Sequence, residues 1–151
     1  MAEHVWSVLC EKVLHDEADV ISLGSIVERL MLWGTSAELL RQAKQEGNKG
    51  IRVPVDLRLV TWWLRSTLDE PETIQLRVAL LSPDGESLFR EVFSVELDLE
   101  HPGKRTVVRL TDMLITGLGR YWVLVEKQSE KGRWVSATRI PLYIDDNAET
   151  T

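Results

Sequence analysis

Apolar side chains in this chain recur mainly at every second residue, the spacing of a half-buried strand rather than of a helix face. Residues 5–14 form a first such run, closed by the polar stretch His15-Asp16-Glu17-Ala18-Asp19. A second covers residues 20–32, and a third, rich in β-branched and aromatic types, covers residues 52–66. Asp69-Glu70-Pro71-Glu72 turns the chain, and residues 73–81 lead to Ser82-Pro83-Asp84-Gly85. That tetrapeptide predicts a hairpin: proline presets φ, aspartate bonds the backbone ahead of it, and glycine takes the positive φ. The return strand is 87–97, with Phe89, Val92 and Val95 as its bulky members. His101-Pro102-Gly103 turns into 105–110, a strand opens at Gly119 and runs to about 127, and 134–144 closes the fold. Seven or eight strands without alternating helices predict an all-β antiparallel sandwich.

Two segments interrupt the alternation. Ser25-Ile26-Val27-Glu28 has the spacing of a capping box, with Leu30 and Met31 at helical spacing behind it. As a strand, the same stretch places Ile26, Glu28, Leu30 and Leu32 on one face, and the strand is the preferred reading. From Thr35 the pattern is helical: Thr35 can cap, Glu38 follows at the third helical position, Leu39, Leu40 and Ala43 make a short apolar side, and Gly47 is placed to stop it. One inserted helix is expected over about residues 36–46.

A length of 151 residues suits one domain, expected to span 1–151 with an ordered core over about 4–145 and a frayed polar tail. Hydrophobic residues at 44% and charged ones at 28% exclude the disordered and fibrous classes. No apolar run approaches the ~20 residues of a membrane span. A net charge of −6 argues against nucleic acid and anionic membranes as partners held by bulk charge. The single cysteine, Cys10, excludes an internal disulfide, and Met1-Ala2-Glu3-His4 lacks the basic start of a secretory signal. A cytoplasmic location is expected.

Trp62 and Trp63 stand centrally in the third run, where immunoglobulin-like sandwiches place a core tryptophan on strand C. Leu118-Gly119-Arg120-Tyr121-Trp122-Val123 has the glycine-x-tyrosine order of a tyrosine corner, whose phenol bonds upstream backbone. Trp63 and Tyr121 are therefore the expected structural residues. Cys10, the apolar stretch 21–30, Val53-Pro54-Val55, Pro83-Asp84-Gly85 and Gly119-Arg120-Tyr121 together give a pattern over about residues 5–144. It resembles an uncharacterised family of small bacterial immunoglobulin-like β-sandwich proteins, a domain of unknown function. The resemblance implies a fold and brings no activity; residues 33–50 are longer here than the family pattern.

Catalytic and metal chemistry find no foothold. His4, His15 and His101 fall in three separate regions, and no His-Glu-x-x-His, Cys-x-x-Cys or calcium-loop spacing occurs. His15 beside Asp16 and Glu17 reads as an exposed turn. There is no Gly-x-Ser-x-Gly elbow, and Cys10, mid-strand among apolar neighbours, reads as a small buried hydrophobe with a raised pKa. The carboxylates of Asp145-Asp146 and Asp69-Glu70-Pro71-Glu72 belong to tail and turn. Gly47-Asn48-Lys49-Gly50 lacks the spacing of a phosphate loop. No catalytic residue, metal or cofactor is expected, and the chain reads as no enzyme.

Alternation assigns the remaining aromatics. With Tyr121, Val123 and Val125 inward, Arg120, Trp122, Leu124 and Glu126 point outward. With Leu57, Leu59 and Trp63 inward, Arg58, Val60, Trp62 and Leu64 point outward. If the third and last two strands share a sheet, as an immunoglobulin-like order implies, Arg58, Trp62, Arg120 and Trp122 form one outer face, open or covered by the inserted helix. Aromatic and arginine residues are what interface cores favour. The expected function is thus a non-catalytic protein-interaction module, with a protein partner or a second copy of itself. The alternative is a carbohydrate or small-ligand binder that uses the tryptophans as stacking platforms.

Overall fold

The computed structural model describes residues 2–15, 21–32, 34–67, 69–101 and 103–146. Their alternating patterns form nine strands and one helix among the described residues: β1 (Glu3–His15), β2 (Ile21–Ile26), β3 (Arg29–Leu32), α1 (Gly34–Gln45), β4 (Ile51–Leu64), β5 (Glu72–Leu81), β6 (Ser87–Leu97), β7 (Gly103–Ile115), β8 (Gly119–Gln128) and β9 (Trp134–Asp146). Two sheets face each other as a sandwich, a four-stranded one in the order β2-β1-β4-β7 and a five-stranded one in the order β3-β9-β8-β5-β6. The chain is all-β apart from α1. The expected tail beyond residue 146 and the polar stretch 16–20 lie outside the described residues.

The second apolar run is not one strand. Ser25 takes a positive φ of 55°, and the N–H of Val27 donates to the Leu9 carbonyl at 2.9 Å, the last contact with the four-stranded sheet. One residue on, the Glu28 carbonyl accepts from the Tyr143 N–H at 2.9 Å, in the other sheet. The chain crosses between layers at Val27–Glu28, and β3 then pairs in parallel with β9 from Arg29↔Tyr143 to Leu32↔Asp146. The capping-box spacing at Ser25 makes no helix.

This crossing corrects a second expectation. An immunoglobulin-like order with the third run as strand C puts that run in one sheet with the last two strands. Instead β4 lies between β1 and β7, while the strand beside β8 is β5. Trp63 is a core tryptophan, with no exposed surface, but it comes from the four-stranded sheet.

Inside the sandwich Trp63 and Tyr121 are the largest buried side chains, packed with Leu9, Leu57, Leu59, Leu76, Val123, Val125 and Leu142. Burial of such side chains stabilises by roughly 1.5–3 kcal/mol each for the aliphatic and aromatic members. The Trp63 indole N–H still needs an acceptor in that dry layer. It donates to Thr61 Oγ at 2.8 Å, and the Thr61 hydroxyl in turn contacts the Thr106 hydroxyl at 2.6 Å across the β4–β7 ladder.

The helix ends as its sequence predicts. Gly47 adopts φ 81°, its N–H donates to the Lys44 carbonyl, and the Asn48 N–H donates to the Ala43 carbonyl, closing a Schellman cap. Leu40 and Ala43 are buried, and α1 packs against β3 and β4. After the helix, Gly50 lies so close to β7 that an added Cβ falls 2.1 Å from the Ile115 carbonyl oxygen. Only glycine fits there.

The turn into β8 is pinned by Tyr121. Its hydroxyl donates to the Gly117 carbonyl at 2.6 Å and accepts from the N–H groups of Thr116 (3.0 Å) and Gly117 (3.1 Å). Gly119, with φ 130°, supplies the conformation that returns the chain. Tyr121→Phe is expected to destabilise by about 1–3 kcal/mol, because it leaves a carbonyl and two N–H groups without their partner. Chemical denaturation with an unchanged slope checks this; a loss under about 0.3 kcal/mol would contradict the role of the phenol.

Candidate functional site

Strand alternation leaves each sheet an outer face, and the two differ in chemistry. On the four-stranded sheet the registers Val8↔Val60 and Val60↔Val107 lay three valines across β1, β4 and β7. One step along, Trp6, Trp62 and Arg105 form a parallel row, and Ile26, Cys10, Arg58 and Arg109 form another. Trp6 and Trp62 meet edge to face with ring centroids 6.0 Å apart. Trp62 can settle on the strand beside it because β7 begins with glycine: a Cβ on Gly103 would lie 2.7 Å from the Trp62 indole nitrogen.

This face is apolar where a solvent face is ordinarily polar. Val60 and Cys10 are sealed by their neighbours, yet Ile26 stays 63% exposed and Val107 48% exposed. Cations frame it. The Arg58 guanidinium donates to the Glu11 carbonyl and pairs with Asp56 at 3.3 Å, and Asp56 also receives Arg109 at 3.3 Å. Burial pushes the Cys10 thiol pKa up, against a smaller lowering from the backbone near Lys12 and from Arg58. It is a packing residue, poorly suited to nucleophilic attack.

The outer face of the five-stranded sheet is built from guanidinium–indole stacks. Trp122 lies between Arg120, 4.7 Å from the ring centroid, and Arg139, 4.4 Å from it. Arg77 stacks on Trp134 at 4.6 Å and pairs with Glu126 at 2.7 Å, both side chains being largely buried. Arg29 lies over Tyr143 at 5.7 Å and pairs with Asp145 at 3.1 Å. The aromatic planes hold the guanidiniums flat and leave their N–H edges available to carboxylates.

The four residues expected to share one face therefore divide. Arg58 and Trp62 belong to the four-stranded sheet; Arg120 and Trp122 belong to β8 in the five-stranded one, on the opposite outside of the sandwich. Their outward direction follows from Trp63 and Tyr121 being fully buried. The separation has one cause, the layer assignment of β4. Two partners escaped the sequence reading. Trp6 carries a plain signal, since Trp6, Val8 and Cys10 alternate onto one face. So does Arg139, which alternates outward against Ile140, Leu142 and Ile144; the residue inserted opposite the Val125–Glu126 step changes the alternation of β9 only on the Trp134 side of it.

Reactive groups are sparse among the described residues. No group of three metal-ligating side chains comes together, and Asp16 and Glu17 lie outside the described residues. His4 Nε2 and Ser7 Oγ are 2.7 Å apart, a base beside a hydroxyl. The His4 ring packs edge-on against Trp63 at 5.1 Å, in a strand rather than at a turn that could present converging N–H donors. The pair reads as a satisfied core contact. No helix among the described residues is long and apolar enough to cross a membrane. No protein-family model matches this chain, and no curated protein matches it.

Burial lowers the His4 pKa from 6.5, with Lys127 adding to the effect and a backbone hydrogen bond at Trp6 opposing it. The folded chain then binds fewer protons than the unfolded one as pH falls through that value, so stability is lost on acidification. The thermal midpoint is expected to drop between about pH 7.5 and about pH 5.5, and His4→Gln should flatten that part of the profile. An equal drop in the variant would place the effect elsewhere.

Proposed function

We propose that this chain is a non-catalytic protein-interaction module of immunoglobulin-like topology, working through the outer face of its four-stranded sheet. The observation that carries the reading is the Trp6–Trp62 and Val8–Val60–Val107 cluster, an apolar patch at the centre of a solvent face with Ile26 and Val107 uncovered. Monomeric proteins rarely expose contiguous apolar surface, and such patches mark interaction sites. Its aromatic centre and arginine surround have the composition of interface cores.

The strand order supports the immunoglobulin-like topology. An early strand crosses layers to pair in parallel with the last strand, the last two strands form a hairpin, and β5 and β6 extend their sheet on the far side. Membership in the small bacterial sandwich family and a cytoplasmic site of action belong to the same proposal. The partner is a second copy of this chain or another protein.

Light scattering on the purified protein, followed by affinity capture, tests the reading. Ile26→Lys and Val107→Lys alter exposed positions and are expected to keep the β-type circular dichroism of the wild type. Each should weaken self-association or partner capture by about tenfold or more, consistent with a lost apolar contact of ~1.4 kcal/mol or greater. Variants that associate as the wild type does would remove this face from the function.

A further inference from the structure

We infer that the outer face of the five-stranded sheet docks an extended acidic segment of a protein partner, with Arg120 and Arg139 taking its carboxylates. Three guanidinium–aromatic stacks cross this face, and the molecule completes two of them itself. Glu126 pairs with the Arg77 guanidinium on Trp134, and Asp145 pairs with the Arg29 guanidinium over Tyr143. The third stack, on Trp122, has two guanidiniums and, among the described residues, no carboxylate for either.

The surroundings keep this stack cationic. Across the sheet the registers set Arg90, Ala79, Leu124 and Arg139 in one row. Arg90 is exposed and also has no carboxylate among the described residues. Between the two arginines, Ala79 and Leu124 make a low apolar floor. Glu96 of β6 points outward too, but it stands opposite Thr73, six residues along from Arg90, roughly 20 Å at the rise of a strand. On a chain whose net charge is −6, the unpaired positive charge of this face is gathered around Trp122.

The geometry also chooses between anions. Guanidiniums cover both faces of the Trp122 indole, 4.7 Å and 4.4 Å from its centroid, so no face is left for a nucleic-acid base to stack on. Those distances place the guanidiniums at most about 9 Å apart, and carboxylates on alternate residues of an extended segment, about 6.5–7 Å apart, reach both. Each guanidinium presents a planar fork of N–H donors, which a carboxylate fills with two parallel hydrogen bonds. The chain's own stacks are completed in the same chemistry: Arg77 Nε donates to Glu126 Oε1 at 2.7 Å. An acidic segment therefore supplies to the Trp122 stack what the chain supplies to the other two. This face lies opposite the Trp6–Trp62 cluster, and the inference does not rest on the docking reading proposed for that cluster.

A blocked hexapeptide with glutamate and valine at alternate positions, titrated into nitrogen-15-labelled protein, is the test. The Nε–H resonances of Arg120 and Arg139 are expected to shift and saturate together, with an affinity that falls as salt is raised. The same peptide with glutamine in place of glutamate should give no saturating shift. Arg120→Gln and Arg139→Gln, both at exposed positions, should each weaken the glutamate peptide by about tenfold. Arg133→Gln, which removes the same charge from the exposed turn between β8 and β9, should leave it within about twofold. A glutamate peptide that shifts neither resonance, or a glutamine peptide that binds as tightly, overturns the inference. So do Arg120→Gln and Arg139→Gln variants that bind as the wild type does. A thymidine hexanucleotide that binds more tightly than the glutamate peptide overturns it in favour of nucleic acid.

Discussion

Two backbone hydrogen bonds one residue apart determine how this molecule is divided. Val27 donates to Leu9 and Glu28 accepts from Tyr143, so a single peptide step carries the chain from one layer to the other. A strand in regular pairing presents its N–H and C=O groups to neighbours in one sheet only; to serve two sheets it must break, and Ser25 with φ 55° is where it does. Everything after that step depends on it: β4 is free to fill the centre of the first sheet, β5 takes the place beside β8, and Trp62 of β4 and Trp122 of β8 end on opposite outsides.

Much of the architecture was legible because it rests on local rules. Period-two alternation placed Trp63 and Tyr121 inward, and the spacing around Leu40, Ala43 and Gly47 gave a helix close to its observed span. The turn at Pro83-Asp84-Gly85 joins β5 to β6. What the residues did not disclose is non-local. Alternation says which side of a strand a residue occupies, not which sheet the strand joins. Apolar residues stand on both sides of the crossing, Ile26 and Val27 before it and Leu30 to Leu32 after it, and so no change of composition announces it. At β9 one inserted residue brings Trp134 onto the same outer face as Arg139, which simple alternation would place opposite it.

The same reasoning explains why the two outer faces differ. On the four-stranded sheet, valines and indoles make the middle of the outer face with Arg58, Arg105 and Arg109 around them, and Val60 and Cys10 are buried among these neighbours. On the five-stranded sheet, long guanidinium side chains lie flat over Trp122, Trp134 and Tyr143 and cover the apolar surface themselves. The guanidiniums cover the tryptophans of the one face, and Val92 stays exposed there as Ile26 and Val107 do on the other.

The parallel pairing of β3 with β9 has a bearing on how the chain comes to be folded. Residues 29–32 meet residues 143–146, so that edge of the sandwich closes only after more than a hundred intervening residues have been made and brought round. Contacts of such long sequence separation slow folding, because the entropy of closing the loop is lost before any pairing offsets it. During synthesis the local hairpins β1–β2 and β5–β6 can form as they emerge, while β3 waits with neither edge paired until the last strand leaves the ribosome. A nascent chain stalled before residue 143 therefore presents an open sheet edge, the form in which this protein is most exposed to mispairing with its neighbours.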